Sequence, residues 1–176
     1  IAVAPRESVW SAGPVDYLDK IVVDRDAAGV LVPECMDAPA AWTLALIARA
    51  KKKSVRDLVV VVLQRLRHHD LIEEIRATGA RILLREEGDA EGALVAATPG
   101  SGVDVLLGVG GAAQGVLSAC AVRALRGGML ARIAPQSAEE RAAVAQAGLD
   151  MRRVMTIDEL VNSDDVFFAA TAITDT

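Results

Sequence analysis

VDVLLGVGGAAQGVLSACAVRALRGGMLARI, residues 103–133, is the stretch from which the rest of the chain is read. Val103–Leu107 is an apolar run of the kind that forms a buried strand. It runs into Gly108-Val109-Gly110-Gly111, and the small-residue stretch Ala112–Leu125 that follows predicts a helix. Gly127-Gly128 ends that helix, and Met129–Ile133 opens another apolar strand. Strand, glycine turn, helix and strand make a βαβ crossover, with the turn at the carboxyl edge of a sheet. The first N–H groups of a helix have no intrahelical partner, so such a turn suits an anion or a phosphate. Glycine also lets a ligand approach the backbone without meeting a Cβ. Tight packing alone accounts for a glycine turn equally well. Gly108-x-Gly110-x-x-Ala113 has the form of a dinucleotide fingerprint. That reading needs an acid about 20 residues on to hold a ribose, and Ala131–Pro135 contains none.

The same alternation continues on both sides. Leu58–Leu63 is a Val-rich strand, apolar throughout, as expected where both faces are covered. His69–Thr78 is a helix stopped by Gly79, Arg81–Arg85 a strand, and Ala90–Ala97 a helix. Ser137 and Glu140 form a capping-box pattern for a helix to Ala147, with Gly148 as its stop. Arg153–Thr156, a short helix from Asp158, and Asp165–Ala170 complete the series. Earlier in the chain, Ile1–Asp19 is irregular, and Lys20–Val23 and Gly29–Pro33 read as short extended pieces. Asp37 is the expected N-cap of a helix to about Lys51, and Lys51-Lys52-Lys53 its solvated end. Repeated β–α alternation predicts an α/β fold, a three-layer α/β/α sandwich with a mainly parallel sheet. Residues 1–36 are expected to be an irregular lead-in with short strands, and residues 37–176 the sandwich itself.

With 176 residues, 52% of them hydrophobic and only 3% aromatic, the chain supports one core of Val, Leu, Ile and Ala. A net charge of −5 and the lack of a basic stripe argue against a nucleic-acid partner. An anionic ligand would therefore need locally placed arginines. Cys35 and Cys120 fit neither a metal-ligand spacing nor a disulfide framework. No apolar run approaches the roughly 18 residues of a membrane span, and no signal-peptide pattern is present, so no membrane partner and a cytoplasmic location are expected. The chain begins at Ile1 rather than Met, as a trimmed or partial product would.

Gly108-Val109-Gly110-Gly111-Ala112-Ala113-Gln114-Gly115-Val116 resembles the G-I-G-G-A-P-E-G-V segment of class II fructose-1,6-bisphosphatases, some of which also take sedoheptulose-1,7-bisphosphate. The resemblance runs from about Ala12 to Asp175, over the middle and later part of the family sequence. Gly13–Lys20 is similar to its A-P-x-x-Y-M-E-K segment, which implies that the Tyr17 hydroxyl meets substrate phosphate. As a residue on its own, Tyr17 reads equally as an anchor for an irregular segment. Arg65-Leu66-Arg67-His68 resembles K-P-R-H, which makes Arg65 and Arg67 phosphate ligands. Arginine offers phosphate a bidentate fork, although solvated loop charges beside Asp70 and Glu73 would look the same. His68 and His69 read as the start of a helix. Glu86-Glu87-Gly88-Asp89 resembles P-D-G-D, whose two acids hold sugar hydroxyls. By that match Glu87 and Asp89 take this role, and Asp89 also suits a helix cap.

The departures are Arg65 for Lys, Glu87 for Asp, Gln114 for Glu, and Ala172 and Thr176 for glycines in the family's A-T-G-[IV]-T-[DK]-G ending. The family's Glu at the position of Gln114 is a metal ligand, and an amide oxygen binds Mg²⁺ or Mn²⁺ more weakly than a carboxylate. The resemblance implies a domain like the second domain of the lithium-sensitive sugar phosphatases. It implies hydrolysis of the 1-phosphate of a sugar bisphosphate, with Mg²⁺ or Mn²⁺ as cofactor and backbone N–H groups presented at Gly110 and Gly111. The family's acidic metal-binding segments belong to its first part and are absent from these 176 residues. A homo-oligomer, or a complex with a chain carrying the missing part, is expected. The alternative is a non-catalytic phosphosugar-binding or scaffold subunit.

Overall fold

The computed structural model describes residues 1–171. The family-like ending from Ala172 to Thr176 lies outside the described residues. Near the start, β1 (Ala2–Val3) precedes β2 (Tyr17–Val23), which begins three residues before the short strand expected at Lys20. The extended piece expected at Gly29–Pro33 is instead occupied by two 3-10 turns, Ala28–Val30 and Pro33–Met36. Then comes α1 (Ala40–Ala50). Its N-cap is Pro39, not Asp37, whose carboxylate is drawn off to ion-pair with Arg132. The Val-rich run forms β3 (Val59–Leu63), followed by a 3-10 turn over Leu66–His68 and by α2 (His69–Thr78). Gly79 ends α2 in the left-handed region at φ 81°, where glycine carries no Cβ penalty.

After β4 (Arg81–Arg85), Gly88 at φ 91° starts α3 (Asp89–Ala97). Asp89 is thus the first helical residue rather than the cap, and its carboxylate is free of capping duty. β5 (Val105–Gly111) then runs straight through the glycines, which pair with β2 instead of forming a loose turn. It leads into α4 (Ala112–Ala124) and β6 (Gly128–Ile133). Ser137 caps α5 (Ala138–Gln146), its Oγ accepting from Glu140 N at 3.1 Å. β7 (Val154–Thr156), α6 (Ile157–Leu160) and β8 (Phe167–Phe168) complete the described chain.

Six strands form one sheet in the order β4-β3-β5-β2-β6-β7, and β1 pairs separately with β8. β3 is parallel to β4 and β5, while β2 is antiparallel to β5 and β6, and β7 antiparallel to β6. Hence β3, β4, β5 and β6 point one way, and β2 and β7 the other. The expected crossover β5–α4–β6 does join two strands of like direction, but β2 is inserted between them. Alternate residues feed two cores. Ile21, Val23, Val60 and Val62 meet Leu44 and Ile47 of α1 and Ile72 and Ile75 of α2. On the opposite face Leu18, Val22, Val61 and Leu106 meet Ala93 and Ala96 of α3, Ala119 and Val122 of α4, and Leu160 of α6. Helices therefore cover both faces, and the α/β/α layering stands.

The lysine-rich end of α1 is not simply solvated. Lys51 Nζ lies 2.7 Å from Asp24 Oδ2 and 3.0 Å from Asp104 Oδ1, and Lys53 Nζ lies 2.7 Å from the same Asp104 oxygen. Asp104 Oδ2 also accepts from Val59 N at 3.0 Å. These contacts tie the beginnings of β3 and β5 to the end of α1, at the sheet edge opposite the candidate site.

Candidate functional site

Because β3, β4 and β5 share a direction, the segments that follow them emerge at one edge of the sheet, where open α/β sheets bind ligands. The antiparallel β2 brings its first residues to the same edge. The result is a cleft of about 480 Å³, within the usual range for small-molecule sites. Tyr17, Arg65, Arg67, Glu87, Asp89, Gly110, Gly111 and Gln114 all line it. The structure therefore brings every candidate binding residue of the sequence reading into one place.

Arg67 lies over the Tyr17 ring, its Cζ 5.2 Å from the ring centroid, in a cation–π arrangement. Its Nε and Nη2 donate to the Val109 carbonyl at 3.3 and 3.1 Å. Arg65 reaches across the mouth, where Nη2 donates to Glu87 Oε1 at 2.8 Å. Glu87 is 89% exposed, so this ion pair is readily opened. Between the two arginines, the Leu66 side chain stands in solvent. At the back of the cleft, Ala112 N donates to Asp16 O at 2.8 Å, which fastens the start of α4 to the lead-in of β2. Ala113 and Gln114, next in the first turn, line the cavity.

Asp89 forms the buried floor. Its Oδ2 lies 2.8 Å from Lys20 Nζ, and both side chains are almost completely enclosed. At this distance the two groups form a charge-assisted ion pair, and among the described residues neither atom has a second partner. Burial pushes the Lys20 ammonium below its ordinary value, and the Asp89 carboxylate pulls it back up. Gly110 makes room for this arrangement. A Cβ there would stand 2.2 Å from Asp89 Oδ2 and 2.6 Å from Oδ1.

Two residues of the site escaped the sequence reading. Lys20 sits in an apolar strand with Leu18 and Val22 on the same inward face, so strict alternation was the signal that would have placed it in the core. His68 does occupy the N-cap position of α2, as a helix start, but its ring is buried and faces the glycines of β5.

The acids of the cleft do not suit a divalent cation as they stand. Glu87 is engaged by Arg65, and Asp89 by Lys20. Gln114 contributes only an amide. Among the described residues, no three His, Cys, Asp or Glu side chains gather to hold a metal ion. No described helix is long and apolar enough to cross a membrane.

The strand ends of this α/β sandwich thus gather two arginines, a tyrosine, two carboxylates and a glycine-lined helix start around one cleft. Over residues 1–176 the chain matches the family described as bacterial fructose-1,6-bisphosphatase, glpX-encoded, and it belongs to that family. It is 33% identical over 187 residues to fructose-1,6-bisphosphatase class 2 of Haemophilus influenzae, a match covering 99% of this chain and 55% of that protein. It is 36% identical over 175 residues to a D-fructose 1,6-bisphosphatase class 2/sedoheptulose 1,7-bisphosphatase of Synechococcus sp. (strain JA-3-3Ab), covering 92% and 50%. The chain thus spans about half the length of these curated relatives.

Proposed function

We propose that this chain is the sugar-phosphate-binding part of a class II fructose-1,6-bisphosphatase-like phosphatase. The observation that carries the reading is the meeting of Arg65, Arg67 and Tyr17 with Glu87 and Asp89 around one cleft. The arginine forks and the Tyr17 hydroxyl hold the phosphate remote from the reaction, by charge-assisted hydrogen bonds. Glu87 and Asp89 accept hydrogen bonds from sugar hydroxyls, since a carboxylate has only acceptor oxygens. A phosphate arriving at Arg65 displaces Glu87, which is then available to a hydroxyl. The start of α4 gives a second anion a favourable dipole. The Mg²⁺ or Mn²⁺ implied by the family would activate water, but the acids here do not form its site. No step of hydrolysis is therefore assigned to these residues.

The test is titration of fructose-1,6-bisphosphate into the protein. Arg67→Ala should weaken binding by about 1.5–3 kcal/mol, the range for hydrogen bonds to charged groups. Equal affinity of the two proteins would remove Arg67 from the phosphate site. Gln114 favours a second reading, a phosphosugar-binding subunit without turnover. Phosphate release by the purified chain in excess Mn²⁺, persisting through repurification, would exclude it.

A further inference from the structure

The His68 ring is 2% exposed and stands between two pieces of backbone. Its Nδ1 lies 2.7 Å from the Leu63 carbonyl, and its Nε2 lies 2.8 Å from Val109 N. A carbonyl can only accept and a peptide N–H can only donate. The partners therefore assign the proton to Nδ1 and leave Nε2 as a bare acceptor. Only the neutral ring fits, because a proton on Nε2 would face the Val109 N–H head on.

The position of Val109 explains what this contact holds. β5 pairs with β3 at Val105 and Leu106 and then runs on alone on that side. At Val109 the backbone N–H is met by His68 and the carbonyl by Arg67. Two side chains of the segment after β3 thus take the place of a missing strand. The loop that carries Arg65 and Arg67 is fastened to the residue preceding Gly110, against which Asp89 packs. Gly108 is part of the same fit. Its φ is 125°, and a Cβ there would lie 2.8 Å from His68 Nε2.

We propose that His68 is a positioning residue for the sugar-phosphate site: its neutral ring, protonated on Nδ1 alone, latches the arginine loop to the glycine turn, and protonation of Nε2 releases it. The inference rests on the sugar-phosphate reading for its ligand, but the latch itself does not. The charged groups that face His68 are Arg67 on its own segment and Asp19 and Lys20 on β2. Burial holds the ring below the ordinary histidine value, the Leu63 hydrogen bond opposes this, Arg67 and Lys20 add to it, and Asp19 opposes it. The latch is therefore closed at neutral pH and opens only as the pH falls below the ordinary histidine value.

The experiment compares the wild-type chain with His68→Gln, whose amide oxygen offers Val109 a non-titrating acceptor, and with His68→Asn, which is too short to reach it. Nitrogen NMR of the ring reads the tautomer, and amide exchange reads Val109. Fructose-1,6-bisphosphate is titrated from about pH 8 to about pH 5, on either side of the histidine range. Expected are an Nδ1–H ring, a protected Val109 amide that loses protection with acid, and roughly tenfold weaker binding for His68→Asn, as one pKa-unit equivalent would give. His68→Gln should restore binding at neutral pH and retain only the ligand's own pH dependence. An Nε2–H ring, a Val109 amide indifferent to pH, or parallel pH profiles for wild type and His68→Gln would each overturn the latch. If a variant fails to fold, the two wild-type NMR readouts still decide. Absence of binding at any pH, with the Nδ1–H ring and protected amide in place, would uphold the latch and overturn the sugar-phosphate reading instead.

Discussion

Replacing Asp89 by Asn keeps the shape of the side chain and removes the charge that faces Lys20 at ion-pair distance. Among the described residues Lys20 Nζ has no second partner to fall back on, and its side chain is fully buried. The ammonium left behind escapes the uncompensated site by giving up its proton. For a lysine that titrates near 10.4 when unfolded, deprotonation at pH 7 costs about 1.36 kcal/mol for each of roughly 3.4 units, which sets a ceiling of about 4–5 kcal/mol, because the wild-type Lys20 is itself held below its ordinary value by burial. This agrees with the roughly 3–5 kcal/mol measured when one partner of a buried pair is removed. The pH dependence follows from the direction of the Lys20 shift. Burial lowers its folded value and Asp89 raises it, so Asp89→Asn lowers it further. The unfolded chain then binds the extra proton, and the variant recovers stability as the pH rises towards 10.5. Urea unfolding of wild type and Asp89→Asn at about pH 7 and about pH 9 should show a deficit of at most roughly 4–5 kcal/mol that shrinks by up to about 2.7 kcal/mol over these two pH units. Lys20→Met added to Asp89→Asn should remove most of it, since no buried charge remains. A deficit under about 1 kcal/mol, or one that does not change with pH, would mean that the ammonium is solvated and that the pair does not fix Asp89.

Gly110→Ala places a Cβ 2.2 Å from Asp89 Oδ2, so the carboxylate must leave its place. A loss of about 1–3 kcal/mol in denaturant unfolding is expected, together with weakened bisphosphate binding. Asp104→Asn removes the charge shared by Lys51 and Lys53 and leaves one acceptor oxygen where two serve the lysines and Val59 N; with Lys51 still paired to Asp24 it should cost about 1–3 kcal/mol at neutral pH. Burial alone would raise Asp104, but these partners bring its net value below 3.8. The difference from wild type should therefore be full above that pH and fade in acid titrations below it. Gln114→Glu supplies one carboxylate where neighbouring acids are already paired. Calorimetry with Mn²⁺ should show no stoichiometric site in this chain, and a tight one would show that Asp89 or Glu87 exchanges its cation for the metal.

Local signals carried much of the fold. His69–Thr78 and Arg81–Arg85 fall where the apolar spacing and Gly79 put them, because a helix stop and a short strand depend on neighbouring residues. β2 was only partly legible. Asp19 and Lys20 break its apolar run, and the strand exists because β5 and β6 grip it from both sides. The same tertiary pairing turns Gly108–Gly111 from a turn into strand. Asp37 shows a local preference losing to a distant partner, since Arg132 of β6 takes its carboxylate from the helix start. In the cleft, residue types suggested phosphate and hydroxyl contacts. Burial of Lys20 was legible only by following the alternation of β2 through its charged residues, and burial of His68 required knowing which strands lie side by side.

That adjacency also changes how two departures from the family pattern are read. Taken singly, Arg65 for Lys and Glu87 for Asp each alter reach at a binding position. In the structure they meet, with Nη2 and Oε1 2.8 Å apart across the cleft mouth. The two departures thus fall in one contact of this chain, which pairs one donor group with one acceptor group. Glu87 is almost entirely in solvent, so the pair adds little to stability, about 0–1 kcal/mol for exposed ion pairs. Its effect falls on the cleft, where a guanidinium offers phosphate a planar fork in place of a point charge. Gln114 has no such partner. Its side-chain oxygen lies near the backbone of Gly111, where an added Cβ would be 3.4 Å away, and the acids that share its cleft, Glu87 and Asp89, are paired with Arg65 and Lys20. On the proposed reading, the departures at Arg65 and Glu87 pair with each other, whereas among the described residues the acids near Gln114 are already engaged. Binding should therefore tolerate these departures better than metal-dependent turnover does.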